Sequence, residues 1–528
     1  MRPDSKPASA LTRPNPAALA DALERQSLTF RAGPATLANI ARIRAGAQAV
    51  VTGQQVGLLG GPLLTLLKAA TAIARARQAS AATGIEHVPI FWLATEDHDL
   101  EEVDQVSLLT GSEVETLRLG AKSPHHAAPV GDIAIPSAID TLLDHAAELL
   151  GHAPICDLLG ECYSQPATFA SAFARLMTRL FADQGLIVVD AAGRDFHVLG
   201  AATLRHAIED AVDLESALLA RTAELEAAGY DAQVLVKPGA SLLFLVDEVS
   251  GTEERHVLRR LPDGSWKAGS AGHIAGNGNA GAGNSARTYT TSDLLAILDA
   301  APERLSPSAL LRPVFQDTIL PTAAYIGGPA EVAYFAQSAV LYQHILGRIT
   351  PILPRLSATL IEPAIATIMA QHEVTLPDAM QSSDSLAQRL GARAMPIEAK
   401  RRLAAAGNAL DQALTALQDY LATLDPSLGR SAEVSASKML YQMNRLRRLG
   451  ATFELHKQTT LRKHADTLIL HLFPHGHLQE RVIAGVWFLA AYAAAHGEPP
   501  NSNPGAALIA RLVEEAANQC PGHIVIRL

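Results

Sequence analysis

The chain has 528 residues, with 43 Lys and Arg against 53 Asp and Glu and a formal charge of −10. A chain of that sign lacks the broad basic surface that holds phosphate backbones or anionic lipid, so neither nucleic acid nor membrane is an expected partner. Hydrophobic residues make up 48% and charged residues 18%, which excludes wholesale disorder and leaves room for a large core.

Cys156, Cys162 and Cys520 are too few and too scattered for a disulfide framework, which points to the cytoplasm. No secretory signal is visible in the Pro-rich start. The longest apolar stretch, Ala484 to Ala495, falls short of the roughly 20 residues that cross a bilayer.

Along the chain, Ala17 to Ala47 has helical spacing. Ala49-Val50-Val51 is a short apolar run that stops at Thr52-Gly53-Gln54-Gln55. It continues through Gly57 and Gly60-Gly61-Pro62 into a helical pattern from Leu63 to Gln78. A second strand, Val88 to Ala94, ends in Thr95-Glu96-Asp97-His98-Asp99. The spacing predicts a βαβ unit with parallel strands and both loops at their carboxyl ends. After a mostly helical stretch, Leu186 to Asp190 reads as a third buried strand. Gln233 to Val236 and Ser241 to Val246 predict a small meander, and Gly269 to Asn284 a Gly/Asn-rich excursion.

Leu403, Leu410, Leu417 and Leu424 recur every seven residues, with Leu414 and Leu421 at the partner positions, which predicts a heptad seam. Asp425 to Gly429 breaks it. Met439, Met443, Leu446 and Phe453 then form a stripe on a second helix, so the pair reads as a hairpin able to pack on itself or on another subunit. His523 to Leu528 is an apolar run that suits an edge strand.

Three loops concentrate reactive side chains where an α/β sheet places its ligands. In the first, Thr52, Gly53, Gln54 and Gln55 precede Gly60 and Gly61, and Lys68 lies in the following helix. The glycines suit either close approach of backbone amides to an anion or simply a tight turn. In the second, Asp97, His98 and Asp99 suit a general base oriented by a carboxylate, or a divalent cation site, while Glu101, Glu102 and Asp104 suit helix-start electrostatics. The third joins Arg312-Pro-Val-Phe-Gln-Asp317 to Tyr325, Gly327, Gly328 and Glu331, a cradle in which Glu331 is either a ligand-facing group or a helix cap. Pro354-Arg355-Leu356-Ser357 adds a guanidinium suited to a carboxylate, a phosphate or a structural ion pair. His471, His475 and His477 are broken up by Pro474 and Gly476, so no metal site is expected there.

At these positions the chain resembles the bacillithiol biosynthesis cysteine-adding enzyme family, BshC. The matching stretches are Val51 to Pro62 with Lys68, Pro89 to Asp99, Arg312 to Asp317, Tyr325 to Glu331, Pro354 to Ser357 and Leu478 to Arg481, in family order over nearly the whole chain. Leu59 and Leu64 depart from the Phe and Tyr more usual in the family. The resemblance implies an α/β fold with a Rossmann-type parallel sheet core related to class I aminoacyl-tRNA synthetases, although the HIGH and KMSKS signatures are lacking. It also implies connecting-peptide insertions and a coiled-coil hairpin used for homodimerisation.

The organisation expected is a core over residues 1–394, with a mostly helical insertion near 105–180 and a β-rich insertion near 220–300. A hairpin over 395–463 follows, then a segment, 464–528, returning to the core. The activity implied is ligase-like addition of cysteine to glucosaminyl malate, the last step of bacillithiol formation. A free carboxylate is a poor acyl donor, so ATP is the expected activator, with no metal. His98 is the expected base or proton relay, with Asp97 or Asp99 as its orienter. Thr52, Gly53, Gln54, Gln55, Gly60, Gly61, Lys68, Gln316, Asp317, Tyr325, Gly327, Gly328, Glu331, Arg355 and Ser357 are the expected substrate- or nucleotide-binding residues. Two alternatives stand beside this reading: a nucleotidyl-transferring Rossmann enzyme with another small substrate, and a non-catalytic coiled-coil scaffold.

Overall fold

The computed structural model describes residues 14–123, 128–249, 252–270, 287–497, 503–518 and 522–528. They fall into two units. The first takes the chain up to Leu108, Glu115–Ala358 and Ile483–Ile524, and the second takes Leu109–Val114, Thr359–Val482 and Val525–Leu528. Among the described residues no helix is long and apolar enough to cross a membrane.

A five-stranded sheet organises the first unit. Its strands are β1 (Gln48–Gln54), β2 (His87–Leu93), β3 (Ile187–Asp190), β4 (Thr322–Gly327) and β5 (Ile352–Pro354), in the order β5-β4-β1-β2-β3 with every neighbour parallel. All seven residues of β2 are buried, as a central parallel strand covered on both faces requires. The helix Leu64–Thr83 links β1 to β2 and ends at Gly84, whose φ of 71° closes it in the left-handed conformation. The strand order reverses between β1 and β4, and the crevice outside the carboxyl ends at such a switch point is where open α/β sheets hold ligands.

β1 is longer than its apolar run suggests. Thr52, Gly53 and Gln54 pair with Phe91, Trp92 and Leu93 and so belong to the strand, not to a loop. Gly53 is required there, since a Cβ would stand 2.7 Å from the Trp92 carbonyl oxygen. The β-rich insertion is an antiparallel sheet of Ala240–Val249, Thr252–Arg260, Trp266–Ser270 and Thr288–Tyr289, with Leu305–Pro307 on its other edge. Gln233 to Val236, expected as its first strand, is not one. The Gln337 side-chain amide takes both backbone groups of Val234, at 2.9 and 3.0 Å, and so replaces a strand partner. Most of the Gly/Asn-rich excursion, residues 271–284, lies outside the described residues, as does Cys520.

The main segment of the second unit is mostly helical and begins at Thr359, ahead of the boundary expected near 395. Its core joins Ile365, Leu386 and Leu390 to Leu461, Ala465, Leu468 and Leu472. The last four residues line one face of the helix Thr459–Leu472, so this helix belongs to the helical unit rather than to a segment returning to the sheet. The helices Ile397–Leu424 and Pro426–Lys457 form the hairpin, and Asp425 caps the turn by accepting from the Ser427 and Leu428 N–H groups at 2.7 and 3.3 Å.

The leucine seam divides. Leu403, Leu410, Leu414 and Leu421 are half-buried, and Ala436, Met443 and Ala451 are buried, whereas Leu417, Leu424, Met439, Leu446 and Phe453 are exposed. A helix with 3.6 residues per turn drifts by roughly 20° per heptad against a strict seven-residue repeat. Three heptads therefore carry Leu424 away from the face that Leu403 presents.

Candidate active site at the sheet switch point

Lys68 stands in the first turns of the helix after β1 and is only 4% exposed. Its ammonium donates to the Gly53 carbonyl at 2.7 Å and the Gln54 side-chain oxygen at 2.9 Å, and lies 2.6 Å from Glu331 Oε2. Glu331 belongs to the helix Pro329–Leu346 that follows β4. Its carboxylate also accepts from the Gly328 N–H at 2.8 Å and the Tyr325 hydroxyl at 2.7 Å, so it is both helix cap and counter-ion. Burial pulls the Lys68 ammonium below its ordinary value, and Glu331 only partly offsets this. Burial, with Glu331 beside it, raises the Tyr325 hydroxyl well above its ordinary value. Gln54, Lys68, Tyr325, Gly328 and Glu331, drawn from β1, β4 and their following helices, thus form one connected cluster at the switch point.

Beyond β2 the acidic side chains diverge, as successive residues leaving a strand must. Glu96 Oε1 faces Nε2 of the buried His197 at 3.6 Å, Asp97 accepts from the Gln55 amide at 3.2 Å and the His98 N–H at 2.8 Å, and Asp99 caps the short helix Leu100–Val103 by accepting from the Glu102 N–H at 3.2 Å. The Gln55 amide also donates to Glu102 at 2.5 Å, tying the β1 and β2 loops together. Burial pushes the Asp97 carboxyl up, but the Gln55 and His98 hydrogen bonds outweigh it and hold the group below its ordinary value. The His98 ring is 46% exposed, with Nδ1 3.6 Å from Asp97 Oδ1. Its side chain is therefore available to a ligand, and Asp97 acts on it through charge rather than through a hydrogen bond. Asp99, spent on the helix cap, is not its orienter.

Other expected site residues are elsewhere engaged. Thr52 is fully buried and donates to the Ile326 carbonyl at 2.9 Å, bracing β1 against β4. Gly60 and Gly61 do not form an anion cradle. The Leu59 N–H is taken by the Tyr163 hydroxyl at 2.7 Å, and the Gly60 and Gly61 N–H groups by the Gly57 and Leu58 carbonyls at 3.1 and 3.0 Å. Their φ values of 87° and 69° mark a tight buried turn.

Arg312 to Ile319 is a helix, not a loop. It runs against β4, so Asp317 meets Tyr342 and Thr350 at the amino end of the sheet, away from the crevice, and burial raises its carboxyl. Gln316 is buried beside it and donates to Asp317 at 3.3 Å. Ser357 meets His523 at 2.7 Å and has a further partner. Arg355 follows β5, donates to the Leu356 carbonyl at 2.8 Å, and lies close enough to Lys68 to oppose its charge.

Three residues absent from the expected set belong to the site. His197, on the helix Arg194–Glu209 that follows β3, packs against Phe315 with ring centroids 5.3 Å apart and the rings tilted by 49°. Burial opposes the charge on both His197 and Glu96, yet each stabilises the other: the imidazole is raised and the carboxyl lowered from their ordinary values. Arg255, from the antiparallel sheet, donates to the carbonyls of Glu96 and Pro307 at 2.9 Å each and lies 3.8 Å above the Phe244 ring. Arg312, at the start of its helix, donates to the Tyr334 hydroxyl at 3.3 Å. The Arg312 position was visible in its motif, but nothing local in the sequence marks Arg255 or His197, which reach the crevice only through the tertiary fold.

A Rossmann-like sheet with a polar crevice at its switch point, in a chain that also carries a long helical hairpin, defines a class of α/β enzyme with a coiled-coil domain. Two family models match this chain: "Bacillithiol biosynthesis BshC, N-terminal Rossmann-like domain" over residues 5–356 and "Bacillithiol biosynthesis BshC, C-terminal coiled-coil domain" over residues 358–495. The chain belongs to the BshC family. A relative from Koribacter versatilis is 40% identical over 511 residues, covering 97% of this chain and 89% of its own. One from Solibacter usitatus is 35% identical over 484 residues, covering 91% and 84%, and one from Salinibacter ruber is 31% identical over 506 residues, covering 94% and 88%. Each of the three carries the name "Putative cysteine ligase BshC".

Proposed function

We propose that this protein joins the carboxyl group of cysteine to the amino group of glucosaminyl malate to form bacillithiol, with ATP activating the carboxylate. Family membership and the names of its relatives support the ligase class. The observation that supports the site is that Lys68 and Glu331, from the helices after β1 and β4, and Gln55, Asp97 and His98, from the segments leaving β1 and β2, all stand at the carboxyl ends of these strands. The attacking amine must be neutral, and in this reading His98 accepts its proton, which its half-exposed ring beside Asp97 supports. Gln54 and Gln55 are fixed by Lys68 and Asp97 and position the substrate. ATP supplies a leaving group on the acyl carbon. The glycine turn after β1 has its amides occupied and does not suit the phosphates, whereas the basic side chains at the crevice, Lys68, Arg312 and Arg355, do. The hairpin serves a homodimer, for which the exposed heptad stripe of Met439, Leu446 and Phe453 provides an apolar face.

The test is thiol profiling of a strain lacking this protein, together with the purified protein supplied with cysteine, glucosaminyl malate and ATP. Accumulation of glucosaminyl malate in the strain and ATP-dependent formation of bacillithiol in the tube are expected. An unchanged thiol pool in the deletion strain sinks the reading.

A further inference from the structure

Four basic side chains stand near the carboxyl ends of β1, β2, β4 and β5, and three have evident protein partners. Lys68 is paired with Glu331. Arg255 spends its guanidinium on the Glu96 and Pro307 carbonyls, the Ser306 hydroxyl and the Phe244 ring. Arg355 donates to the Leu356 carbonyl and has further partners. Arg312 differs. Among the described residues its guanidinium makes one hydrogen bond, the 3.3 Å contact to Tyr334, and pairs with no carboxylate.

The acids around it are already engaged. Glu331 accepts from Lys68, Tyr325 and Gly328, and Asp97 from Gln55 and the His98 N–H. Arg312 nonetheless stands among them. Its charge reaches Asp97 beyond β2, Lys68 and Glu331 at the switch point, and Arg255 from the antiparallel sheet. It lies mostly below the surface while keeping some solvent contact, so a small ligand can reach it. A guanidinium carries five N–H donors in a planar fork that matches a carboxylate or phosphate. With its one hydrogen bond made to a neutral hydroxyl, most of these donors are unused inside the protein, and a ligand oxyanion would take them.

We propose that Arg312 is a substrate-binding residue that anchors an oxyanion of the ligand, a carboxylate or phosphate held by its guanidinium fork. The anchor follows from the position of Arg312. Only the identity of the oxyanion rests on the ligase reading, under which it belongs to the malate group of the acceptor, the carboxylate of cysteine or the phosphates of ATP.

Titration calorimetry with malate, glucosaminyl malate, cysteine and inorganic pyrophosphate, on the wild type, Arg312→Gln and Arg312→Lys, separates these sources. Arg312→Gln is expected to weaken one ligand class about tenfold or more, or about 1.4 kcal/mol, without changing the others or the melting temperature. Arg312→Lys keeps the charge but not the fork, and is expected to recover part of the loss. Joint weakening of malate and glucosaminyl malate assigns the acceptor, weakening of cysteine the donor, and weakening of pyrophosphate the nucleotide.

If glucosaminyl malate binds but a folded Arg312→Gln binds all four ligands like the wild type, the anchor is overturned while the ligase reading stands. If the protein binds pyrophosphate through Arg312 but neither malate compound, the anchor stands and the ligase reading fails. Should Arg312→Gln not fold, Arg312→Lys decides: unchanged binding of every ligand overturns the anchor, and so does a wild type that binds none of them.

Discussion

The Lys68 ammonium and the Glu331 carboxylate meet 2.6 Å apart beneath the switch point, and their contact joins the helix after β1 to the helix after β4. Removing one partner of a buried pair leaves the other charge without compensation, at a cost of about 3–5 kcal/mol. Glu331→Gln is therefore expected to lower stability by about that amount in urea unfolding at neutral pH. Lys68→Met combined with Glu331→Gln should recover part of it, because no ammonium then remains buried. Strictly additive losses in the double variant would show that the two residues are not coupled.

The Glu96–His197 pair should give stability a defined pH window. His197 has its imidazole raised above the ordinary 6.5, so its contribution is full below 6.5 and fades as pH rises through the higher folded value. Glu96 has its carboxyl lowered below the ordinary 4.5, so its contribution is present above 4.5 and fades as pH falls through the lower folded value. The pair thus stabilises most between about pH 4.5 and 6.5, with Arg255 also favouring the charged Glu96. The deficit of His197→Gln relative to wild type should contain a pH-dependent part of about 1–3 kcal/mol that peaks in this window and shrinks on both sides. A deficit flat from pH 4 to 9 would reduce His197 to a packing residue against Phe315.

How far the sequence could be read depended on whether a residue's role is local. β2 and its Thr95 to Asp99 exit were legible because a run of buried apolar residues ends abruptly in charges. The Gly327-Gly328-Pro329 start of a helix was legible from turn and capping chemistry. Thr52 was misplaced because its partner, the Ile326 carbonyl, comes from a distant segment, and Gly60 and Gly61 because the turn that occupies their own amides is packed from outside by Tyr163, on the Leu59 N–H, and by Leu176, beside Gly60. Asp317 was misplaced because nothing in its motif says at which end of the sheet a helix of eight residues will finish. Gln233 to Val236 has strand-forming side chains, but Gln337, more than a hundred residues later, takes the backbone groups of Val234 that a neighbouring strand would otherwise bind.

The hairpin carries a prediction that the division of its leucine seam sharpens. Leu410 and Leu414 are half-buried within the pair, so charging them would disturb the hairpin itself. Leu446 and Phe453 are 55% and 65% exposed and lie one heptad apart, so charging them leaves the internal packing intact. Leu446→Lys with Phe453→Lys is expected to convert a dimer into a folded monomer by sedimentation velocity, with melting changed by only a few degrees as usual for exposed positions. A variant that still sediments as a dimer would place the interface on another face.

His98 offers the sharpest separation of chemistry from structure. Its ring is nearly half exposed, and its backbone N–H, rather than its side chain, is what Asp97 holds by hydrogen bond. Truncating the ring should therefore leave the Thr95 to Asp99 segment in place, and His98→Ala should melt within a degree or two of the wild type. Loss of a general base lowers turnover by about 10²-fold or more, and the loss should fall on kcat, since no ground-state contact of the substrate is assigned to the ring. Asp97→Asn should cost less, about tenfold, because at 3.6 Å the carboxylate acts on the imidazole through charge alone. The order of the two effects is the test. If Asp97→Asn is the more damaging while His98→Ala keeps near-normal turnover, Asp97 is the group that meets the substrate and His98 is not the base.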